Sequence, residues 1–156
     1  MKSIAFTTMA VGAALAASLP VSADGPGTSA VQDILSAYET ALNAQDTDTI
    51  VSLYADDGVF MPQHSQPQVG RDSIRAAYEG VFQAITLDIE FDVDEIGVLS
   101  EDWAFARTRS EGTVRINATG DSGPEANQEL FLFQRTDDGN WKIARYIFST
   151  TNPPRG

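Results

Sequence analysis

Hydrophobic and polar residues follow two different periods along this chain, and the change of period divides it into a helical first half and a stranded second half. Apolar side chains recur at three- and four-residue intervals over 31–42, and shorter stretches with this spacing follow at 50–54 and 74–82. From Leu87 onward apolar residues alternate with Asp and Glu. The pattern predicts three short helices, a brief strand at 59–61 between the second and the third, and then a set of long strands.

Four long strands are predicted in the second half, separated by short polar turns as in an antiparallel sheet. Their predicted ranges are 87–98, 103–116, 127–135 and 140–150. The apolar phase of the first of these strands slips by one residue near Asp94-Glu95, which predicts a β-bulge. Residues 120–125 are predicted to form a loop, and Thr136-Asp-Asp-Gly139 a hairpin turn. The order predicts an α+β fold in which a curved antiparallel sheet of four to six strands wraps around three N-terminal helices.

The N-terminal residues have the pattern of a secretory signal. A positive charge at Lys2 precedes the uncharged, largely apolar stretch 4–19, and small residues at 21–23 follow Pro20. Cleavage after Ala23 is expected, which predicts a periplasmic or secreted protein. A membrane anchor is the alternative, although a run this short and rich in Ala, Thr and Gly spans a bilayer poorly. The signal at 1–23 would be followed by a flexible lead-in at 24–28 and one domain over 29–152.

The composition narrows the choice of partners. The chain has 156 residues, no Cys, one His and a net charge of −12, which becomes −13 when Lys2 is removed with the signal. An acidic surface repels phosphate backbones and anionic lipids, so neither a nucleic-acid partner nor a membrane partner after signal removal is predicted. One His and no Cys argue against zinc. The sequence lacks a phosphate-binding glycine loop, so no metal and no cofactor is predicted.

Three stretches of the first half resemble the nuclear transport factor 2-like superfamily, in particular its ketosteroid isomerase-like and SnoaL-like group. They are Tyr38-Glu-Thr-Ala-Leu-Asn-Ala-Gln-Asp46, residues 50–60, and residues 70–78. The resemblance implies a cone in which the curved sheet and the helices enclose one deep pocket for a small molecule. It does not fix the activity, because the same cone serves isomerases, cyclases, dehydratases and plain binding proteins.

The resemblance implies candidate catalytic groups at two positions, and the chain itself offers a third in place of the missing base. Tyr38 matches the oxyanion-hole tyrosine of the family, and the alternative is a core tyrosine with a satisfied hydroxyl. The general-base Asp of the family falls on Pro62, which has no acid–base group, and its second, protonated Asp falls near Glu129. His64 lies two residues beyond Pro62 in a polar loop, where it is either a proton shuttle at the pocket mouth or a solvated histidine.

Two arginines share one face of the strand predicted over 103–116. Arg107 and Arg109 are two residues apart, and the resemblance implies that this face, with Phe105, points into the pocket. Buried guanidinium groups need partners, which could be Glu111 and Glu129 or an acidic ligand held by two hydrogen bonds. The expected ligand is therefore partly apolar and either acidic or carbonyl-containing.

Aromatic residues are expected to line the remainder of the pocket, and apolar residues of the last strand to cover the convex side of the sheet. The expected ligand-binding aromatics are Tyr54, Phe60, Tyr78, Phe82, Phe131, Tyr146 and Phe148. The expected convex residues are Trp141, Ile143 and Ile147. An exposed apolar face of that kind predicts a homodimer formed through the convex side.

The sequence therefore predicts an exported small-molecule-binding protein whose candidate chemistry is proton transfer next to a carbonyl, of the isomerase or cyclase type. Whether it is an enzyme stays open at this point. The alternative function is a non-catalytic oligomerisation or accessory module that uses the convex face. In support of that alternative, the segment Asp138-Gly-Asn-Trp-Lys-Ile143 resembles the association domain of a calmodulin-dependent kinase.

Overall fold

One six-stranded sheet curves around three helices in the computed structural model, which describes residues 25–153. The predicted signal segment at 1–23 lies outside the described residues. The helices are α1 (Pro26–Asn43), α2 (Thr47–Leu53) and α3 (Arg71–Ala84). The strands are β1 (Tyr54–Met61), β2 (Gln68–Val69), β3 (Ile85–Val98), β4 (Trp103–Ile116), β5 (Ser122–Arg135) and β6 (Trp141–Thr150). The predicted α+β class and the three N-terminal helices are confirmed.

The strand order in the sheet is β2-β1-β6-β5-β4-β3. Four of the five neighbouring pairs are antiparallel, as predicted, and β1 runs parallel to β6. The parallel pair arises because β1 enters the sheet from α2 and lies beside the last strand of the chain instead of a sequence neighbour. The sheet is therefore mixed, and the aromatic side chains of β5 and β6 pack beneath the helices to form the core.

The helix boundaries follow local chemistry. Helix α1 begins at Pro26, so residues 26–28 are helical and the prediction of a flexible lead-in extending to residue 28 is wrong. Proline suits a first helical turn because its fixed φ angle is already helical and its missing N–H would have no helical partner. Asp46 caps α2, since Thr49 N donates to Asp46 Oδ1 at 3.0 Å.

The strand boundaries agree in most places with the alternating pattern. Strand β4 has the predicted bounds, and the predicted bulge in β3 is present as a register shift between Val93 and Glu95. The turn before β6 contains Gly139 with a φ angle of 82°, a conformation that favours glycine. Strand β5 begins at Ser122, so most of the segment predicted as a loop at 120–125 is strand instead.

The side chains of β4 point the opposite way from the prediction. Ala104, Ala106, Thr108 and Ser110 lie beneath the helices and are at most 1% exposed. The side chains of Arg107 and Arg109 are about half exposed on the convex face. Their charges remain hydrated there, whereas small, uncharged residues fill the crowded concave side. The expectation that both arginines point into the pocket is therefore wrong.

The start of β6 also corrects the prediction. Ile143 is fully buried, and Trp141 packs against the core near Gly27 of α1, so neither residue belongs to the convex face. A register shift between Leu132 and Phe133 of β5 explains the error, because a bulge in the β5–β6 ladder reverses the alternation. Ile147, beyond the bulge, is 45% exposed on the convex side, as predicted.

No helix within residues 25–153 combines the length and the apolar character that crossing a membrane requires.

Candidate functional site

A cavity of about 260 Å³ lies between the helices and the concave face of the sheet. All three helices contribute to the layer that covers the sheet, and α1 and α3 contribute side chains to the cavity wall. The apolar wall consists of Leu42, Phe60, Pro62, Val81, Ile85, Leu87, Ile89, Phe91 and Phe148. The polar groups are Tyr38, Gln63, Tyr78, Ser110, Glu125, Asn127, Glu129 and Tyr146. The cavity can therefore hold an apolar body and hydrogen-bond its polar substituents.

A chain of tyrosine hydroxyls runs from the core to this cavity. The Tyr78 hydroxyl lies 2.6 Å from that of Tyr38 and 3.1 Å from that of Tyr54. The Tyr146 ring packs edge-on against the Tyr38 ring, with centroids 5.5 Å apart. Three hydroxyls linked by two hydrogen bonds carry three protons, so one O–H is left to donate to another group. That remaining donor makes the chain a candidate site for a ligand oxygen.

Stacked aromatic rings hold these tyrosines in place. Phe60 stacks on Tyr78 with ring centroids 4.8 Å apart, and on the other side it stacks on Tyr146 at 5.6 Å. Tyr146 in turn stacks on Phe131 at 4.0 Å. The rings come from α1, α3, β1, β5 and β6, so five elements fix the hydroxyl positions without relying on a loop.

Burial keeps the tyrosine hydroxyls protonated. It is the main cause that raises the pKa of Tyr38 and of Tyr146 well above the ordinary tyrosine value, and the nearby charge of Glu129 raises both further. Burial likewise raises the pKa of Tyr54 and of Tyr78. All four hydroxyls therefore act as neutral hydrogen-bond donors rather than phenolates.

Glu129 is a buried carboxyl group on the cavity wall, with 4% of the residue exposed. Strand β4 pairs Thr108 directly opposite it, and the Thr108 hydroxyl donates to Glu129 Oε2. The Ser110 hydroxyl donates to Glu129 Oε1 at 2.5 Å. Burial raises the pKa of Glu129 above its usual value, while the hydrogen bonds from Ser110 and Thr108 oppose that rise. A carboxyl group of this kind is suited to accept and return a proton.

Asn127 and Glu125 extend the same polar edge of β5. The Asn127 amide donates to Glu125 Oε1 at 3.0 Å and to the Ser110 hydroxyl at 3.3 Å. Asn127 is 7% exposed, and its amide oxygen has no hydrogen-bond partner within residues 25–153. Reversing the amide would place that oxygen against the Glu125 carboxylate, so the neighbouring charge fixes the orientation.

No Lys, Arg or His is among the described residues that line the cavity. Arg107 and Arg109 bind Asp94 on the outer face of the sheet, at 2.7 Å and 3.1 Å. These contacts lower the pKa of Asp94, mainly through the hydrogen bond from Arg109. The predicted internal pairing of the two arginines is therefore with Asp94 at the β3 bulge, rather than with Glu111 or Glu129.

The other predicted site residues divide between the cavity and its surroundings. Six of them line the cavity: Tyr38, Phe60, Tyr78, Glu129, Tyr146 and Phe148. Tyr54, Phe82 and Phe131 support the wall from behind. His64 is exposed in the turn after β1, with a φ angle of 59°, and is not among the lining residues. Its catalytic role stays a prediction.

Four polar lining residues were not predicted from the sequence: Gln63, Ser110, Glu125 and Asn127. Gln63 accepts a hydrogen bond from Thr150 N at 2.7 Å, which ties the segment after β1 to the end of β6. The sequence does contain a signal for Ser110. It lies on the uncharged face of β4, opposite the face that carries Arg107 and Arg109. No group of three or more His, Asp or Glu side chains arranged to hold a metal ion occurs among residues 25–153.

Solved structures with the same architecture include one relative that is more than 30% identical. A ketosteroid isomerase-like protein from Erwinia carotovora atroseptica SCRI1043 is 35% identical, with a TM-score of 0.80, over 83% of this chain and 100% of its own. A putative aromatic ring hydroxylase from Novosphingobium aromaticivorans is 26% identical, with a TM-score of 0.67, over 80% of this chain and 88% of its own.

A third structure shares the fold alone. It is a putative calcium/calmodulin dependent protein kinase II association domain from Xanthomonas campestris, 20% identical with a TM-score of 0.66, over 85% of this chain and 93% of its own. A comparison with curated proteins gave no match. The model of the SnoaL-like domain matches residues 35–146, which is well over half of the chain, and the protein therefore belongs to the SnoaL-like family.

Proposed function

We propose that this protein binds a small, partly apolar carbonyl compound and catalyses proton transfer at the carbon next to the carbonyl, as isomerases and cyclases do. One observation carries the proposal: a buried carboxyl group, Glu129, and the tyrosine hydroxyl chain line the same cavity. A base and an oxyanion donor in one water-poor site are the two groups that this reaction needs.

The cavity volume favours a ligand of one or two rings. An apolar cavity of about 150 Å³ holds benzene. The present cavity, at about 260 Å³, leaves space for a substituted ring or a fused pair of rings. The lining does not favour the acidic ligand that the sequence predicts, because both arginines lie outside the cavity and two carboxyl groups line it. A ring compound that contains a carbonyl group and no carboxylate fits this lining.

In the proposed reaction, a Glu129 carboxylate oxygen takes the proton from the carbon next to the carbonyl. The electrons of that C–H bond form a C=C bond, and the carbonyl π electrons move to oxygen. A tyrosine O–H donates a hydrogen bond to this oxygen as its negative charge develops. Glu129 then returns its proton to carbon. The hydroxyls of Ser110 and Thr108 hold the carboxyl group in place through the cycle.

Deuterium exchange of an enolisable ketone tests the reaction without knowledge of the natural substrate. We expect the protein in D₂O to accelerate exchange of the acidic protons of β-tetralone, a two-ring ketone, as measured by proton NMR. Glu129→Gln should abolish the acceleration because it removes the base, and Tyr38→Phe should reduce it about 100-fold or more. Glu111→Gln, on the exposed convex face, is the charge-matched control. Exchange that persists in Glu129→Gln would contradict the proposed role of Glu129.

The same assay addresses His64. If His64 shuttles the proton at the cavity mouth, His64→Ala should slow exchange in a manner that added imidazole restores. An unchanged rate would leave His64 as a solvated loop residue, the reading that its exposed position favours.

The accessory-module alternative is supported by the convex face. Leu130 and Ile147 are paired across β5 and β6, and they are 42% and 45% exposed. They border a shallow groove of about 430 Å³ together with Arg107 and Arg109. We propose that this face forms a homodimer, since adjacent exposed apolar residues on a sheet face are typical of a subunit contact.

Light scattering after size exclusion separates the two functions. Ile147→Glu should convert a dimer into a monomer, and Ser36→Glu on the outer side of α1 is the control for added charge. If the Ile147 variant is monomeric yet keeps exchange activity, assembly and chemistry are independent. If the protein assembles but never catalyses exchange, the accessory module is the better description.

Export completes the proposal. It is supported by the residues at 1–23, whose charge and apolar pattern fits a cleavable signal. Intact mass measurement of protein recovered from the periplasm of a bacterial host should give the mass of a chain beginning at Asp24. Recovery of the full-length mass from the cytoplasm would contradict it.

A further inference from the structure

Two neighbouring acceptors on β5 lack a full set of donors. Glu125 and Asn127 lie two residues apart on one face of the strand, and both line the cavity. Glu125 Oε1 receives the Asn127 amide, whereas no Lys, Arg or His of residues 25–153 forms an ion pair with the Glu125 carboxylate. The Asn127 amide oxygen is buried without any donor. The two side chains therefore present unmet acceptor capacity at one edge of the cavity.

A buried acceptor without a donor raises the free energy of the folded protein. A bound group that supplies donors removes this cost, and its binding is strengthened accordingly. The neighbouring groups cannot supply them. The Ser110 hydroxyl donates its single proton to Glu129, and the Asn127 amide nitrogen already donates to Glu125 and Ser110. A molecule bound in the cavity, water or ligand, can supply the missing donors.

The charge at this edge selects the kind of donor. Glu125 and Glu129 are two carboxyl groups on one wall, and the described lining holds no cation to balance them. A primary ammonium group has three N–H donors and a positive charge, so it can serve a carboxylate and an amide oxygen at once. A carboxylate or phosphate group would meet two like charges and no donor at this edge.

We propose that Glu125 and Asn127 form a subsite for the ammonium group of an amine ligand, whose ring system occupies the apolar part of the cavity. The subsite rests on the proposed use of the cavity for ligand binding, and it names the substrate class as a primary amine that also carries a ring system and a carbonyl group. The carbonyl carbon where proton transfer occurs would then lie towards Glu129 and the tyrosine hydroxyls, at the other end of the same molecule.

Four probes with one ring skeleton test the subsite by calorimetric titration at neutral pH: β-aminotetralin, β-tetralol, β-tetralone and tetralin β-carboxylate. We expect the amine to bind at least about 10-fold more tightly than the alcohol, a ratio that corresponds to about 1.4 kcal/mol. The carboxylate should bind more weakly than the alcohol. Equal affinities for the amine and the alcohol, or tightest binding of the carboxylate, would overturn the subsite.

Variants assign the preference to these residues. Glu125→Gln keeps the shape of a half-buried side chain and should lower amine affinity about 10-fold while changing alcohol affinity little. Asn127→Leu should also weaken amine binding, because it removes the amide oxygen at similar volume. Glu111→Gln removes the same charge from the convex face and should leave all four affinities unchanged. An equal loss in Glu111→Gln and Glu125→Gln would assign the effect to net charge and overturn the subsite.

Failure of the subsite is distinguishable from failure of the proposed function. Ketone exchange that depends on Glu129, without amine preference, overturns the ammonium subsite alone. Amine preference that depends on Glu125, without exchange, supports the subsite and contradicts the catalytic proposal. Absence of binding by all four probes overturns the subsite and the two-ring ligand together.

Discussion

Tyr78 is the residue on which the hydroxyl chain depends. Its hydroxyl lies between those of Tyr38 and Tyr54, at 2.6 Å and 3.1 Å, and all three rings are at most 2% exposed. A buried hydroxyl that loses its partner costs more than a hydroxyl removed together with its bond. Substitutions at the middle and at the end of the chain should therefore have unequal effects, although both delete one oxygen atom.

Tyr78→Phe should lower the free energy of unfolding by about 1–3 kcal/mol more than Tyr54→Phe. The first change leaves the buried Tyr54 hydroxyl without a partner and removes one partner from Tyr38. The second deletes only the terminal hydroxyl, and Tyr78 keeps its bond to Tyr38. Urea unfolding followed by fluorescence measures both variants. Equal losses would show that the two hydrogen bonds are energetically separate.

Glu129 links stability to pH. Burial raises its pKa in the folded protein, so the folded state binds the proton more tightly than the unfolded chain does. The protonated carboxyl group contributes its full stability at a pH below the pKa that Glu has in the unfolded chain. This contribution is lost as the pH rises through the raised pKa of the folded protein. Glu129→Gln, which stays neutral, should gain stability relative to the parent as pH rises from the ordinary Glu pKa through the raised one. Urea unfolding across that pH interval measures the difference, and a constant difference would contradict the raised pKa.

At the scale of elements, α1 protects the exposed edge of the sheet. Strand β3 is an edge strand, and unpaired backbone groups on an edge invite pairing with other chains. Asn43 donates to Ile89 O at 2.7 Å and accepts from Ile89 N at 3.0 Å. One turn earlier, Glu39 accepts from Phe91 N at 2.7 Å. Side chains of a helix thus satisfy backbone groups that a seventh strand would otherwise pair.

Asn43→Ala should destabilise the protein by about 1–3 kcal/mol, because it leaves the N–H and the C=O of Ile89 without partners. The exposed edge should also raise the rate of aggregation on heating. Gln32→Ala, on the solvent side of the same helix, is the control and should change stability by less than about 0.5 kcal/mol. Ala has a higher helix propensity than Asn or Gln, so propensity cannot cause a loss. Losses of equal size in both variants would contradict the role assigned to the Asn43 hydrogen bonds.

The strands show how far sequence patterns reach. The β3 bulge was predictable because the apolar phase slips visibly, whereas the β6 bulge was not, since hydrophobic residues occur on both faces there. On β4, the resemblance placed Arg107 and Arg109 inside. The binary pattern alone favours the correct answer, because the alternate face of Ala, Thr and Ser carries no charge to bury. A pattern therefore indicates the inner face where only one face is uncharged, as on β4. Where both faces are apolar, as on β6, the inner face depends on what packs against the strand.

Part of the candidate site was predictable from the sequence and part was not. Tyr38 and Glu129 followed from the resemblance and lie on the cavity, where helix and strand periodicity carries them. Glu125 was missed because it fell in a predicted loop, which gives no parity from which to assign a face. Asn127 is the first residue of the predicted strand 127–135 and shares the face of Glu129, so alternation alone could have placed it on the cavity. Pairing with β4 extends β5 to Ser122 and turns both side chains toward the cavity.

At the scale of the whole molecule, negative charge dominates. The chain has 22 acidic residues and 10 basic ones, so acidic side chains outnumber basic ones by more than two to one. Asp94 alone receives both Arg107 and Arg109, which concentrates the limited positive charge at the β3 bulge. Like-charge repulsion acts over a distance of about 10 Å at 0.1 M salt and is weakened at higher ionic strength. The compact state brings these charges together, so it should be more sensitive to repulsion than the unfolded chain.

Salt should therefore stabilise this protein, although it weakens individual ion pairs. Raising NaCl from about 0.02 M to about 0.3 M shortens the screening length from over 20 Å to about 6 Å. The melting temperature should rise by several degrees, since about 1 kcal/mol shifts it by roughly 2–8 °C in chains of this order of size. Calorimetric scans with choline chloride at matched ionic strength control for specific ion binding. Each surface ion pair contributes little to stability, so the repulsion between carboxylates should dominate the response to salt. A melting temperature that falls with both salts would mean that the arginine–carboxylate contacts outweigh this repulsion.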